Sequence, residues 1–72
     1  MTLDKIKKGQ TCRIVSIPNQ DIRTQAIRFG IAEGELVSCA EIVPAGPVII
    51  RKNRQEIAFG RSLAKQIDVA LN

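Results

Sequence analysis

Residues 36 to 59 hold three apolar runs, Leu36–Val43, Val48–Lys52 and Gln55–Phe59, parted only by Pro44-Ala45-Gly46-Pro47 and by a basic turn around Asn53. Runs this short, rich in β-branched residues and bounded by Pro, Gly and Asn, read as strands joined by tight turns. Val37 and Cys39 share one parity, as do Val48 and Ile50, and as do Ile57 and Phe59. These positions are expected to face inward, which commits the second half of the chain to a small β-rich core.

The first half has to complete that core. Thr11–Ile17 reads as a strand with Cys12 and Ile14 on one face and Arg13 and Val15 on the other, and Pro18 closes it because it cannot donate to a ladder. From Asn19 to Gly30 the period changes. Asn19 or Asp21 can cap a helix of two to three turns whose residues Ile22, Ala26 and Phe29 fall on one stripe, with Ile27 at its flank. Gly30 follows the last periodic residue, where a left-handed conformation ends a helix without a Cβ penalty, and Ile31 can fold back onto the final turn. Gly34 then reads as the turn into the next strand. At the termini, Leu3 and Ile6 suggest one helical turn stopped by Gly9, Arg61–Gln66 a single turn with Leu63 and Ala64 facing in, and Ile67–Leu71 a last strand. The expected fold is mostly β: a small, partly open barrel of about five strands with one short α-helix between strands 1 and 2, forming a single domain over 1–72.

A chain of 72 residues buries only about 60% of its unfolded surface, which leaves no room for a multi-step enzyme with a deep cleft. Phe29 and Phe59 are its only aromatics, so the usual base-stacking platforms are missing and nucleic acid is a disfavoured partner despite a net charge of +4. No segment reads as a signal peptide or a transmembrane helix, and two cysteines make no disulfide framework, which points to a cytoplasmic protein.

Each chemical motif has a plainer structural reading. Gly30 and Gly34 follow a helix and lack the Lys-Ser or Lys-Thr of a phosphate loop, so they shape the backbone. Glu33 and Glu35 bar a lipid-facing glycine dimer face. Ser16, Ser38 and Ser62 have no histidine to activate them, so no catalytic set is expected. Cys12 and Cys39 are the only soft ligands and fall on inward parities. They are expected as core residues, with weak transition-metal binding as the alternative if Glu41 or Glu56 completed a site. No cofactor is expected. The exposed chemistry is charge: the turn Arg51-Lys52-Asn53-Arg54, the helix residues Arg23 and Arg28, and the polar rim Glu33 and Glu35 are the candidate partner-binding residues.

The ordered set Leu3, Ile6, Gly9, Ile14, Ile17, a helix ending in Ile27 and Phe29 before Gly30-Ile31, then Gly34, Pro44, Gly46-Pro47-Val48, Ala64, Ile67 and Val69 resembles the FeoA family along nearly the whole chain. The resemblance implies a non-enzymatic SH3-like barrel that accompanies the ferrous iron permease FeoB, a membrane protein with a cytoplasmic GTP-binding domain. The same module ends the metalloregulators of diphtheria-toxin-repressor type. The implied role is docking on the cytoplasmic side of a FeoB-type permease, at the membrane's inner face through that partner, or on a second copy as a homo-oligomer. A stand-alone regulatory or nucleic-acid-binding module is the alternative. Gln25 and Ala26 depart from the Arg and Leu that many family members carry there, and the turn Pro44-Ala45-Gly46-Pro47 is a residue shorter than is common.

Overall fold

The computed structural model describes residues 1–72. The alternating runs form β1 (Thr11–Ser16), β2 (Leu36–Ile42), β3 (Val48–Lys52), β4 (Gln55–Phe59) and β5 (Asp68–Leu71). They pair antiparallel in one open sheet of order β4-β3-β2-β1-β5, the SH3-like arrangement that the sequence implied. Register follows burial. Cys39 lies opposite Ile50, Ile50 opposite Ile57, Val48 opposite Phe59 and Ile14 opposite Val69, so each pairing stacks one core side chain on another. The register slips in β1 between Ile14 and Ser16 and in β2 between Cys39 and Glu41, and an extra residue at such places bends a strand and lets a short sheet curl around its core. That core has 17 side chains, two of them cysteines and the rest hydrocarbon, and no buried polar or charged residue.

Helix α1 (Gln20–Arg28) starts where Asn19 Oδ1 accepts the free N–H groups of Asp21 and Ile22, at 2.9 and 3.2 Å. It presents Ile22 and Ala26 to the core. Its C-terminus closes as a double reversal: the Ile31 N–H donates to Ala26 O at 3.0 Å and the Gly30 N–H to Ile27 O at 2.9 Å, with Gly30 at φ 77. Ile31 is thereby driven into the core and fully buried, a contribution of about 1.5–3 kcal/mol. The inward stripe expected for the helix fails at Phe29. This residue has left the helical path at φ −101 and ψ 11, Ile31 takes the core position, and Phe29 stays 47% exposed.

After Gly34, which has φ 93 and donates to Ile14 O at 2.7 Å, the chain enters β2 beside β1. The turn before β5 is shorter than expected. Helix α2 spans Arg61–Ala64 with Ala64 buried and Leu63 only half-buried, and Ile67 fills the core ahead of β5. A 3-10 turn at Leu3–Lys5 follows residues that line β5, where the Val69 N–H meets Met1 O at 2.7 Å and the Leu3 N–H meets Ile67 O at 2.9 Å. One edge of the sheet is thus covered by the chain's own beginning. The distant pieces are tied by Arg61, whose Nε donates to Gly46 O at 3.1 Å, one terminal nitrogen to Val43 O at 3.0 Å and the other to Asp4 O at 3.4 Å.

Candidate partner-binding surface

Cys12 and Cys39 are buried on adjacent strands. Burial pushes the Cys12 thiol up to about 11, with the nearby Cys39 adding to it, and raises Cys39 as well. A thiol that resists ionisation is a poor nucleophile and a poor metal ligand. The Cys39 thiol faces Glu41 O at 3.7 Å, while the Glu41 carboxylate turns outward to Lys8 at 3.5 Å. Glu56 is held by Arg51. The fold assembles no group of three or more His, Cys, Asp or Glu side chains.

The candidate docking residues divide into two kinds. Arg23 donates through Nε to Ile17 O at 3.1 Å and approaches Glu33 at 3.5 Å, and Glu33 accepts the Ile17 N–H at 3.1 Å. These two side chains tie the segment after α1 to the end of β1. Glu35 pairs with Lys52 at 3.0 Å, and Lys52 also donates to Gly30 O at the helix C-terminus, where a cation is favoured by the helix dipole. Its side chain is only 18% exposed, so Lys52 is a strut between hairpin and helix rather than the free tip cation that its place in the turn suggested. Arg51 forms an ion pair with Glu56 across the β3–β4 ladder, through Nε at 3.1 Å and a terminal nitrogen. Arg28 and Arg54 have no hydrogen-bond or ion-pair partner in the chain.

These two arginines line the same cleft. The two-residue turn Asn53-Arg54, with Asn53 at φ 56, brings the hairpin tip against the end of α1, and the two enclose a shallow cleft of about 540 Å³. It is lined by Arg28, Phe29, Gly30, Lys52, Asn53, Arg54 and Gln55, with no acidic side chain among them. Ile27, in the last turn of α1, is also exposed, at 54%. A second concavity, on the outer face of the sheet near Thr11, Arg13, Leu36 and Ser38, has its cations already engaged, since Arg13 donates to Gly34 O at 2.6 Å. Sequence patterning missed Phe29 as a surface residue. The available signal was Gly30 itself, since a helix that stops at a left-handed glycine frays from its period at the residue before it.

The family model for the FeoA domain matches residues 1–71. The chain belongs to the FeoA domain family. Among solved structures it is similar to an iron uptake regulatory protein (FeoA), with 25% identity, 100% of this chain and 97% of that one covered, and a TM-score of 0.89. The FeoA protein from Chlorobium tepidum shares the fold at 22% identity, 99% and 70% coverage and a TM-score of 0.86. So does the metal-dependent transcriptional regulator MtsR, at 19% identity and a TM-score of 0.88, where this chain's whole length corresponds to 34% of the regulator. Curated protein sequences give no match.

Proposed function

We propose that this chain is a non-enzymatic accessory protein of ferrous iron uptake that docks on the cytoplasmic side of a FeoB-type permease. The observation that carries this reading is the family match over residues 1–71. The chemistry supports it. The core holds no polar group, both thiols are raised, and what the surface offers is a cationic and apolar cleft suited to contact rather than reaction. No helix is long and apolar enough to cross a membrane, so in this reading the partner supplies the membrane attachment. No cofactor is required, and Cys12 and Cys39 serve as core side chains. Affinity-tagged chain, expressed with the cognate permease and purified in mild detergent, is expected to bring the permease down at moderate salt. Recovery of none at low and moderate salt alike defeats the proposal.

The likeness to MtsR favours one further reading, a stand-alone regulatory module. Gel shifts with random DNA and RNA separate the two, since tight binding at moderate salt belongs to the second reading alone.

A further inference from the structure

We propose that the cleft between the end of α1 and the β3–β4 turn is a docking site for a short acidic segment of a protein partner, one that carries an apolar side chain between carboxylates. The inference rests on the accessory reading above and names the chemistry of its contact.

Charge comes first. Arg28, Lys52 and Arg54 line the cleft, and Glu35 neutralises only Lys52, so two guanidinium groups are left with no counter-charge in the chain. The helix C-terminus contributes about half a negative charge at most, which does not cancel them. Arginines at such a rim match carboxylates bidentately. The apolar element is Phe29, one of two aromatics in the chain, 47% exposed and lining the same cleft as the arginines. An exposed aromatic ring sharing a cleft with arginines is the composition enriched where proteins meet proteins.

The same features argue against other polyanions. A nucleic acid strand needs a track of cations and stacking rings, and here two arginines and a single ring stand at the cleft. An anionic membrane needs clusters of about four or more free basic residues, whereas Lys52 in the cleft and Arg13, Arg23 and Arg51 outside it already serve carbonyls and carboxylates of the chain. A cleft of about 540 Å³ holds a few side chains.

The probe is an acetylated and amidated peptide of sequence SEDLEDS, titrated into isotope-labelled protein and followed by amide NMR shifts. Shifts are expected to cluster at Arg28–Gly30 and Asn53–Gln55, and affinity is expected to fall about tenfold in R28E/R54E and to weaken steeply with salt. The variant K5E/K65E, with the same charge change at exposed lysines, is expected to bind like the parent. Phe29→Ala tests the apolar element and the peptide SNNLNNS the carboxylates; each is expected to lose most of the binding. Absent shifts, shifts elsewhere, equal loss in both charge-swapped proteins, or tighter binding to anionic vesicles or RNA than to the peptide overturn the proposal. Capture of the permease separates the two levels. If the parent captures it and R28E/R54E, folded by circular dichroism, captures it equally well, this surface is wrong and the accessory role stands. If the parent captures none, the accessory role itself fails.

Discussion

Replacing Arg61 by Ala tests how a domain with so small a core holds its ends together. The guanidinium bridges the β2–β3 turn, through Gly46 O at 3.1 Å and Val43 O at 3.0 Å, to the N-terminal turn, through Asp4 O at 3.4 Å. The last is long and counts for little. The other two are charge-assisted, but the Val43 bond is solvent-exposed, so about 1–1.5 kcal/mol each is a reasonable measure, and the loss totals about 2–3 kcal/mol. Arg61 opens α2, where a cation opposes the helix dipole by a few tenths of a kcal/mol, so the helix itself does not suffer from the change. Domains of this length have roughly 4–11 kcal/mol of stability in total, and each kcal/mol moves Tm by about 4–8 °C. A drop of about 10–20 °C is therefore expected in thermal melts, together with a lower urea midpoint at unchanged slope. Arg61→Lys keeps the charge but presents a single ammonium and is expected to recover less than half of the loss. A loss below about 0.5 kcal/mol for Arg61→Ala, or full recovery by Lys, refutes the clamp.

Gly30→Ala forces a Cβ into a φ 77 position and within 3.3 Å of Lys52 Nζ, so urea titration is expected to show a loss of about 1–2 kcal/mol, whereas Gly60→Ala, in open space at φ −56, is expected to be neutral. Glu33→Ala leaves the Ile17 N–H without its acceptor and is expected to cost about 1–2 kcal/mol by the same assay, while Glu33→Gln retains an acceptor oxygen and loses less than half as much. Because burial raises the Cys12 thiol from 9.0 to about 11, the unfolded chain ionises first. The associated stability is complete below pH 9 and is lost as pH rises toward 11, so the urea midpoint is expected to fall across that window, and to fall less in Cys12→Ala. Below pH 8 neither cysteine is expected to react with iodoacetamide faster than the protein unfolds.

Local rules are legible in this sequence because they act over a few residues. The period of Val37, Cys39, Val48, Ile50, Ile57 and Phe59 follows from strand geometry alone, and all six are buried where the pattern puts them. The capping of α1 by Asn19 and its arrest at Gly30 follow from hydrogen bonds that span at most five residues. Phe29 shows where local rules end. Helical spacing favoured Phe29 for the core beside Ile31, but the chain leaves the helical path at Phe29 and the reversal at Gly30 buries Ile31 alone.

The charges at the surface were settled by tertiary structure. Arg23, Glu33, Glu35, Arg51 and Lys52 look as free as Arg28 and Arg54 when read along the chain, since an ion pair or a bond to a distant carbonyl leaves no trace in local spacing. Lys52 meets Gly30 across 22 positions and Arg61 meets Asp4 across 57, contacts that exist only once the sheet has closed the loops between them. The sequence by itself determined a β-rich chain with one helix, an interior without polar groups and a basic surface. The tertiary structure decided which of those cations are struts, and it brought the unpaired Arg28 and Arg54 to one cleft with Phe29 because the hairpin tip and the helix end, 26 residues apart at these two arginines, pack against each other.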